Sequence, residues 1–225
     1  VCHPSKHGPW SSLIGACREY LEVERLHMPF RLDRETSGVV VMAIDPQIGK
    51  QMQRAVQNRR VHKRYLAVLH GDLGETVETE GPIGRHPNSQ LTIRRAVIPE
   101  GQEARTRFVP VAMGGGYTLA RVEPATGRLH QIRVHAAHIG HPVAGDKIYG
   151  PDERLYLEFV KQGFTERLAA ELPLRRQALH CFEAAFLPAG MWPNGLRFRA
   201  PVPDDMTTFC RDAMGIRWEP AWEDD

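Results

Sequence analysis

Two strand-like runs, Arg105–Val111 and Tyr117–Val122, are separated by little more than the turn Met113–Gly116, which holds three consecutive glycines. A connection that short joins antiparallel strands, because a parallel pair needs a crossover of a dozen or more residues. The rest of the chain is read around this hairpin. Val39–Ile44 is a run of apolar residues that reads as a buried strand. Asp45-Pro46 then opens a helix, with Asp as its N-cap and Pro at the first helical position. Ile48, Met52 and Val56 give that helix an apolar stripe. Tyr65–Leu69 reads as a second short strand, ended by His70-Gly71. A helix is expected around Ser11–Glu24, another from about Arg128 to Ile139, closed by Gly140, and a third over 152–172. Residues 71–104 are rich in Gly, Pro and charge, with short strand fragments such as Leu91–Arg94. Leu179–Leu187 and Leu196–Ala200 read as late strands. Hairpins outnumber strand–helix–strand units. The expected class is therefore α+β, a mixed, largely antiparallel central sheet with flanking helices.

Composition limits the function classes. The chain has 225 residues, enough for one large domain. Its longest apolar run is far too short to cross a bilayer, and the N-terminus has no signal-peptide pattern. Cys2, Cys17, Cys181 and Cys210 are scattered, which fits a reducing cytoplasm and argues against a disulfide framework. No glycine-rich phosphate loop is present, so no nucleotide cofactor is indicated. The net charge of +2 hides an asymmetry: residues 1–150 carry +6 and residues 151–225 carry −4. Arginine outnumbers lysine 24 to 5. Its planar fork grips phosphate bidentately and stacks on bases, although codon bias accounts for such a composition equally well.

Three constellations could carry chemistry. The first is Arg31-Leu32-Asp33-Arg34-Glu35-Thr36-Ser37-Gly38, just before the apolar run. An Asp between two arginines is favoured in its ionised form and can act as nucleophile, general base or metal ligand. A turn whose Asp, Thr and Ser cap the backbone is the competing reading. The second is Thr126–His135, where Gly127 and Arg128 at a helix start would make an anion site and Arg133 lies deeper in the helix. A solvated basic face is equally consistent with it. The third is Arg59–Tyr65, a basic loop running into a strand on which Lys63 and Tyr65 share a face. Basic groups interleaved with an aromatic suit phosphate contact plus base stacking, whereas cations at a helix C-terminus also complement its dipole. His130, His135, His138 and His141 lack the pattern of a zinc site, so no metal is expected.

Taken together and in order, these segments resemble the RluA-type family of RNA pseudouridine synthases. The match runs through Phe30–Gly38 (FRLDRETSG), Lys63–Gly71 (KRYLAVLHG), Gly127–Gly150 (GRLHQIRVHAAHIGHPVAGDKIYG), Gln177–His180 and Ala200–Met206 (APVPDDM). The resemblance implies one catalytic domain over residues 1–225, with Val1–Pro4 as the end of a V-H-P segment. It also implies that the strand preceding that segment in the family is missing and that there is no S4 RNA-binding domain. It implies isomerisation of specific uridines in ribosomal or transfer RNA, without metal or nucleotide cofactor, by a cytoplasmic monomer that meets no membrane. Asp33 matches the catalytic aspartate, Arg133 the arginine that pairs with it, and Tyr65 the tyrosine that packs on the target base. Arg31 matches the arginine that fills the space left by the flipped nucleotide. Arg34, Lys63, Arg64, Arg128 and Leu179 are the further expected RNA contacts, Leu179 lining the base pocket. Phe30 and Leu129 depart from the family's usual His and Ser or Thr. The rival reading is a non-catalytic RNA-binding or RNA-folding protein on the same scaffold, and the retained Asp33, Tyr65 and Arg133 argue against it.

Overall fold

The computed structural model describes residues 9–217. Val1–Pro4, and with it the question of a preceding strand, lies outside the described residues. In chain order the elements are α1 (Leu13–Leu21), β1 (Ser37–Gly38), α2 (Pro46–Gln57), β2 (Val61–His70), β3 (Val77–Glu80), β4 (Ile83–Arg85), β5 (Arg95–Val97), β6 (Arg105–Gly114) and β7 (Tyr117–Pro124). Then come α3 (Gln131–His138), α4 (Arg154–Gln162), α5 (Glu166–Glu171), β8 (Leu179–Phe186), β9 (Leu196–Arg199) and α6 (Asp204–Asp212). Seven strands make one sheet in the order β1-β8-β2-β7-β6-β3, with β9 also on β8; β4 and β5 pair separately. Only β1–β8 is parallel; the other pairs are antiparallel. This is the α+β architecture expected. The β6–β7 hairpin closes at Gly115 and Gly116, both at positive φ, where glycine carries no steric penalty.

The core is built on β2 and β8. Leu66, Ala67, Val68 and Leu69 are almost wholly buried, as are Leu179, Cys181 and Ala184. A strand in the middle of a sheet with both faces covered loses the apolar–polar alternation, which is why β2 reads as an unbroken apolar run. β2 is longer than Tyr65–Leu69: Val61 and the basic residues His62, Lys63 and Arg64 are already strand, paired with β8.

Four expectations need correction. Val39–Ile44 is not a ladder strand. Only Ser37 and Gly38 pair with β8, and Ala43 then makes an isolated bridge to His27. Val39, Val41 and Ala43 are buried while Ile44 is exposed, so the apolar pattern records an extended chain laid on the core. Gly38 permits the crossing. Its φ is +117°, and a Cβ there would stand 2.1 Å from the Cys181 carbonyl oxygen. Leu91–Arg94 is a turn, with Arg94 N–H donating to the Leu91 carbonyl, and the strand follows it as β5. The helix expected from Arg128 begins at Gln131, because His130 takes a left-handed conformation at φ +58°. The span 152–172 is two helices, broken at Gly163 with φ +77°.

The start of α2 is as read. The Asp45 carboxylate accepts from the N–H groups of Gln47 (2.8 Å) and Ile48 (2.9 Å), and Pro46 occupies the first turn. Asp45→Ala should cost about 1 kcal/mol and lower the melting temperature by about 2–4 °C, read by thermal denaturation at neutral pH.

A row of alternating charge crosses one end of the sheet. Glu78 on β3, Arg107 on β6, Glu123 on β7, Arg64 on β2, Glu183 on β8 and Arg199 on β9 follow one another across six strands. The successive separations are 3.6, 3.8, 3.9, 3.5 and 2.9 Å. Opposite charges on neighbouring strands each add a fraction of a kcal/mol. Here each interior residue serves two neighbours.

Candidate active site

Asp33, Arg34, Glu35 and Thr36 form a tight turn in which Thr36 N–H donates to the Asp33 carbonyl at 3.1 Å. The turn is pinned from behind. Gln177 Nε2 donates to Thr36 Oγ1 at 2.6 Å, and Ser37 Oγ lies 2.9 Å from His180 Nδ1. The Asp33 carboxylate, 22% exposed, faces a cleft open to solvent. Leu32, Thr36, Lys63, Tyr65, Arg133 and Leu179 are among its lining residues, and Arg31 and Arg128 stand on its wall.

Arg133 Nη1 donates to Asp33 Oδ2 at 2.9 Å. The guanidinium is 4% exposed and its main partner is a second carboxylate. Nε donates to Asp146 Oδ2 at 2.6 Å and Nη2 to Asp146 Oδ1 at 2.8 Å, a bidentate fork. The Asp146 side chain is fully buried. Burial alone would push its carboxyl up. The Arg133 charge and hydrogen bonds, with the N–H groups of Ile148 and Tyr149, outweigh burial and hold it below the ordinary carboxylate range. Burial likewise opposes the charge on Arg133, and Asp146 and Asp33 more than restore it.

The guanidinium also lies over the Tyr149 ring, 5.0 Å from its centroid. The Tyr149 hydroxyl accepts from Arg95 N–H at 3.0 Å and lies 2.9 Å from His130 Nδ1. Burial, then Arg133, pushes His130 down to about 4, so its ring is neutral near pH 7 and Nδ1 can accept the Tyr149 proton. The left-handed backbone at His130 costs on the order of 1 kcal/mol and persists because this surround fixes it. Arg133 thus presents an Nη1 N–H to Asp33 from a fixed platform.

Tyr65 is buried, with its hydroxyl raised well above the usual tyrosine range by burial first and by Cys181 beside it. It stays protonated as a neutral ring at the cleft. Lys63 lies on the same face of β2, its ammonium 5.4 Å from the Phe30 ring centroid and lowered by burial. Arg34 and Arg64 lie outside the cleft: Arg34 stacks on Phe159 at 5.5 Å, and Arg64 is held in the charged row. Arg128 does not cap a helix start as an anion site would require. Its Nε donates to the Glu103 carbonyl at 3.0 Å, and its N–H to Gln131 Oε1. The histidines are dispersed, and no group of three or more potential metal ligands occurs among the described residues. His135 spans Thr106 and the Gly81 carbonyl, and His141 reaches the His70 carbonyl.

A family model described as RNA pseudouridylate synthase matches residues 1–138. The chain belongs to the RNA pseudouridine synthase family. Family relatives include an uncharacterized RNA pseudouridine synthase of Bacillus subtilis, 33% identical over 92% of this chain. Another from Chloroflexus aurantiacus is 36% identical over 94%, and the ribosomal large subunit pseudouridine synthase D of Xanthomonas campestris is 36% identical over 92%. The chain spans 68%, 63% and 61% of those relatives' lengths. Among solved structures, the human RNA pseudouridylate synthase domain containing 1 superposes with a TM-score of 0.68. It covers 89% of this chain and 82% of its own, at 25% identity. A second human member, domain containing 4, reaches 0.69 over 95% of this chain and 92% of its own at 23% identity, and so speaks for the fold.

Sequence reasoning about this site missed Asp146, Tyr149, Glu35 and Lys147, and considered His130 only as a zinc ligand, which it set aside. A signal existed. Val143–Tyr149 is seven consecutive buried residues, and two of them, Asp146 and Lys147, are charged. Charged residues are almost never fully buried without partners, so an Asp-Lys pair inside an otherwise apolar turn signals a buried ionic network.

Proposed function

We propose that this chain isomerises uridine to pseudouridine within RNA, with Asp33 as the nucleophile. The observation that carries the reading is the half-open Asp33 carboxylate, held 2.9 Å from an arginine that a second, buried carboxylate locks in place. An anionic group facing an anionic polymer hinders simple binding, so its presence in the cleft favours chemistry. The target base must leave its stack, at a cost of a few kcal/mol. The Tyr65 ring and the Leu179 side chain offer an apolar seat, and the exposed Arg31 is placed to occupy the vacated space. Attack by the carboxylate, at the ribose anomeric carbon or at carbon 6 of the uracil, leads to rupture of the glycosidic bond between the anomeric carbon and N1. The base turns, its carbon 5 bonds to the anomeric carbon, the bond to the Asp33 carboxylate breaks, the proton on carbon 5 leaves, and N1 takes up a proton. Arg133 keeps Asp33 oriented through the cycle, and Tyr65 is a neutral hydroxyl available to a proton in transit.

The names of the relatives favour ribosomal RNA of the large subunit as substrate, with transfer RNA the other candidate. The test is tritium release from RNA labelled at carbon 5 of uridine, beside mapping of pseudouridine in the product. Release coupled to pseudouridine is the expected result. RNA binding without release would leave only a binding protein. EDTA should not change the rate once the RNA is folded without divalent ions, since no ligand set converges among the described residues. Loss of rate restored by zinc would contradict this.

A further inference from the structure

A second ion pair grips the turn that carries Asp33. Lys147 Nζ donates to Glu35 Oε1 at 2.9 Å, to Glu35 Oε2 at 3.0 Å and to the Arg175 carbonyl at 2.6 Å. Those contacts match the three hydrogens of an ammonium. The Lys147 side chain is 1% exposed and that of Glu35 is 20%. The ammonium also lies 4.6 Å from the Phe159 ring centroid and 5.6 Å from that of Phe164. Arg34 stacks on Phe159 and Arg175 on Phe164, so cations and rings alternate from the turn into the α4–α5 pair. That pair is anchored by its own apolar cluster of Leu155, Leu168 and Leu172.

The spacing matters. Asp33 and Glu35 lie two apart on one turn, and Asp146 and Lys147 are neighbours on one buried segment. Arg133, seated on Asp146, holds the first carboxylate. Lys147 holds the second. A carboxylate and a lysine removed from water gain little net stability from their attraction alone, since desolvation offsets it. Their placement is what distinguishes them. With Glu35 held by Lys147, rotation of the turn away from Arg133 would have to break this ion pair.

We infer that Lys147 and Glu35 are positioning residues, which clamp the turn and so set the place of the Asp33 carboxylate opposite Arg133. The inference rests on the isomerase reading above. Misplacement of a reacting group by about 1 Å can cost on the order of 100-fold in rate. Three variants test the clamp: Glu35→Gln, Lys147→Met, and the two combined. The measurements are single-turnover pseudouridine formation, RNA affinity and melting temperature. Glu35→Gln should lose about 10- to 100-fold in single-turnover rate with RNA affinity unchanged. Lys147→Met should melt lower, because it leaves Glu35 partly buried without its cation. The double variant removes both charges, so it should regain melting temperature while its rate stays low. Should Lys147→Met fail to fold, the other two variants decide. A folded Glu35→Gln or double variant turning over within about threefold of wild type would overturn the clamp. So would parallel losses of rate and RNA affinity, which would make these residues RNA contacts. If the wild-type chain itself forms no pseudouridine, the isomerase reading fails first, and the clamp with it.

Discussion

Asp33→Asn should fold, bind RNA about as tightly as wild type, and form no measurable pseudouridine. The amide keeps an oxygen that can accept from Arg133 Nη1, and Arg133 retains its bidentate hold on Asp146. The cleft and the melting temperature should therefore change little. What is lost is the charge and nucleophilicity of the carboxylate. Removing a catalytic nucleophile lowers turnover on the order of 10⁴-fold or more. The measurement is single-turnover tritium release beside RNA affinity on the same preparation. Activity within about tenfold of wild type would remove Asp33 from the nucleophile role, because losing a nucleophile costs far more.

Arg133→Met is expected to damage folding as well as turnover, and the orphaned group is Asp146. The family resemblance pairs Arg133 with Asp33, which has partial access to water. The deeper partner has none. Breaking a buried pair by removing one member costs about 3–5 kcal/mol. At about 2–4 °C per kcal/mol, that is a fall of about 6–20 °C in melting temperature. The pH dependence has a definite sign. In the wild type the Asp146 carboxyl is held below its ordinary value. The stability it contributes is complete above the unfolded value of about 3.9 and is lost as pH falls through the folded one. In the variant, burial acts without the arginine and raises the same group. Its penalty is then greatest at neutral pH and shrinks as acid protonates it. The gap between wild-type and variant melting should narrow from neutral pH towards about pH 5. A gap that is flat across that range, or absent, would mean that Asp146 does not depend on Arg133.

The parts of the molecule legible in sequence were those set by local chemistry. Asp45-Pro46 stops and starts chain direction by capping geometry, and Gly115-Gly116 makes a hairpin by allowing positive φ. Both follow from a few adjacent atoms. The sheet class followed from the hairpins. Asp33, Arg133, Tyr65 and Leu179 came together at one cleft as the resemblance implied. What escaped was set by distant contact. Val39–Ile44 has a strand's composition but no ladder partner beyond β1, because Gly38 sends it close over Cys181 and away from the sheet. The left-handed His130 that shortens α3 belongs to a hydrogen bond with Tyr149, 19 residues on. The pairing of Lys147 with Glu35 spans 112 positions. No periodicity encodes such a pairing; only the buried charge in Val143–Tyr149 hints that one must exist.

The alternating row across the sheet also bears on how a polyanion would approach. Arg107 and Arg64 each sit between two glutamates, so their fields are largely cancelled a short distance from the surface. To an incoming phosphate chain, that end of the sheet is close to a neutral plate despite its arginines. The plate ends at the shoulder formed by Lys63 and Pro124, which belongs both to the groove over the row and to the Asp33 cleft. Beyond it, Lys63 and Arg31 make no ion pair with a carboxylate among the described residues, and Arg31 is exposed. Long-range attraction acts on net, uncancelled charge and concentrates a partner where that charge lies. The glutamates of the row therefore bear on the charge beside the cleft: they offset the arginines there, while Lys63 and Arg31 at its mouth have no carboxylate partner among the described residues.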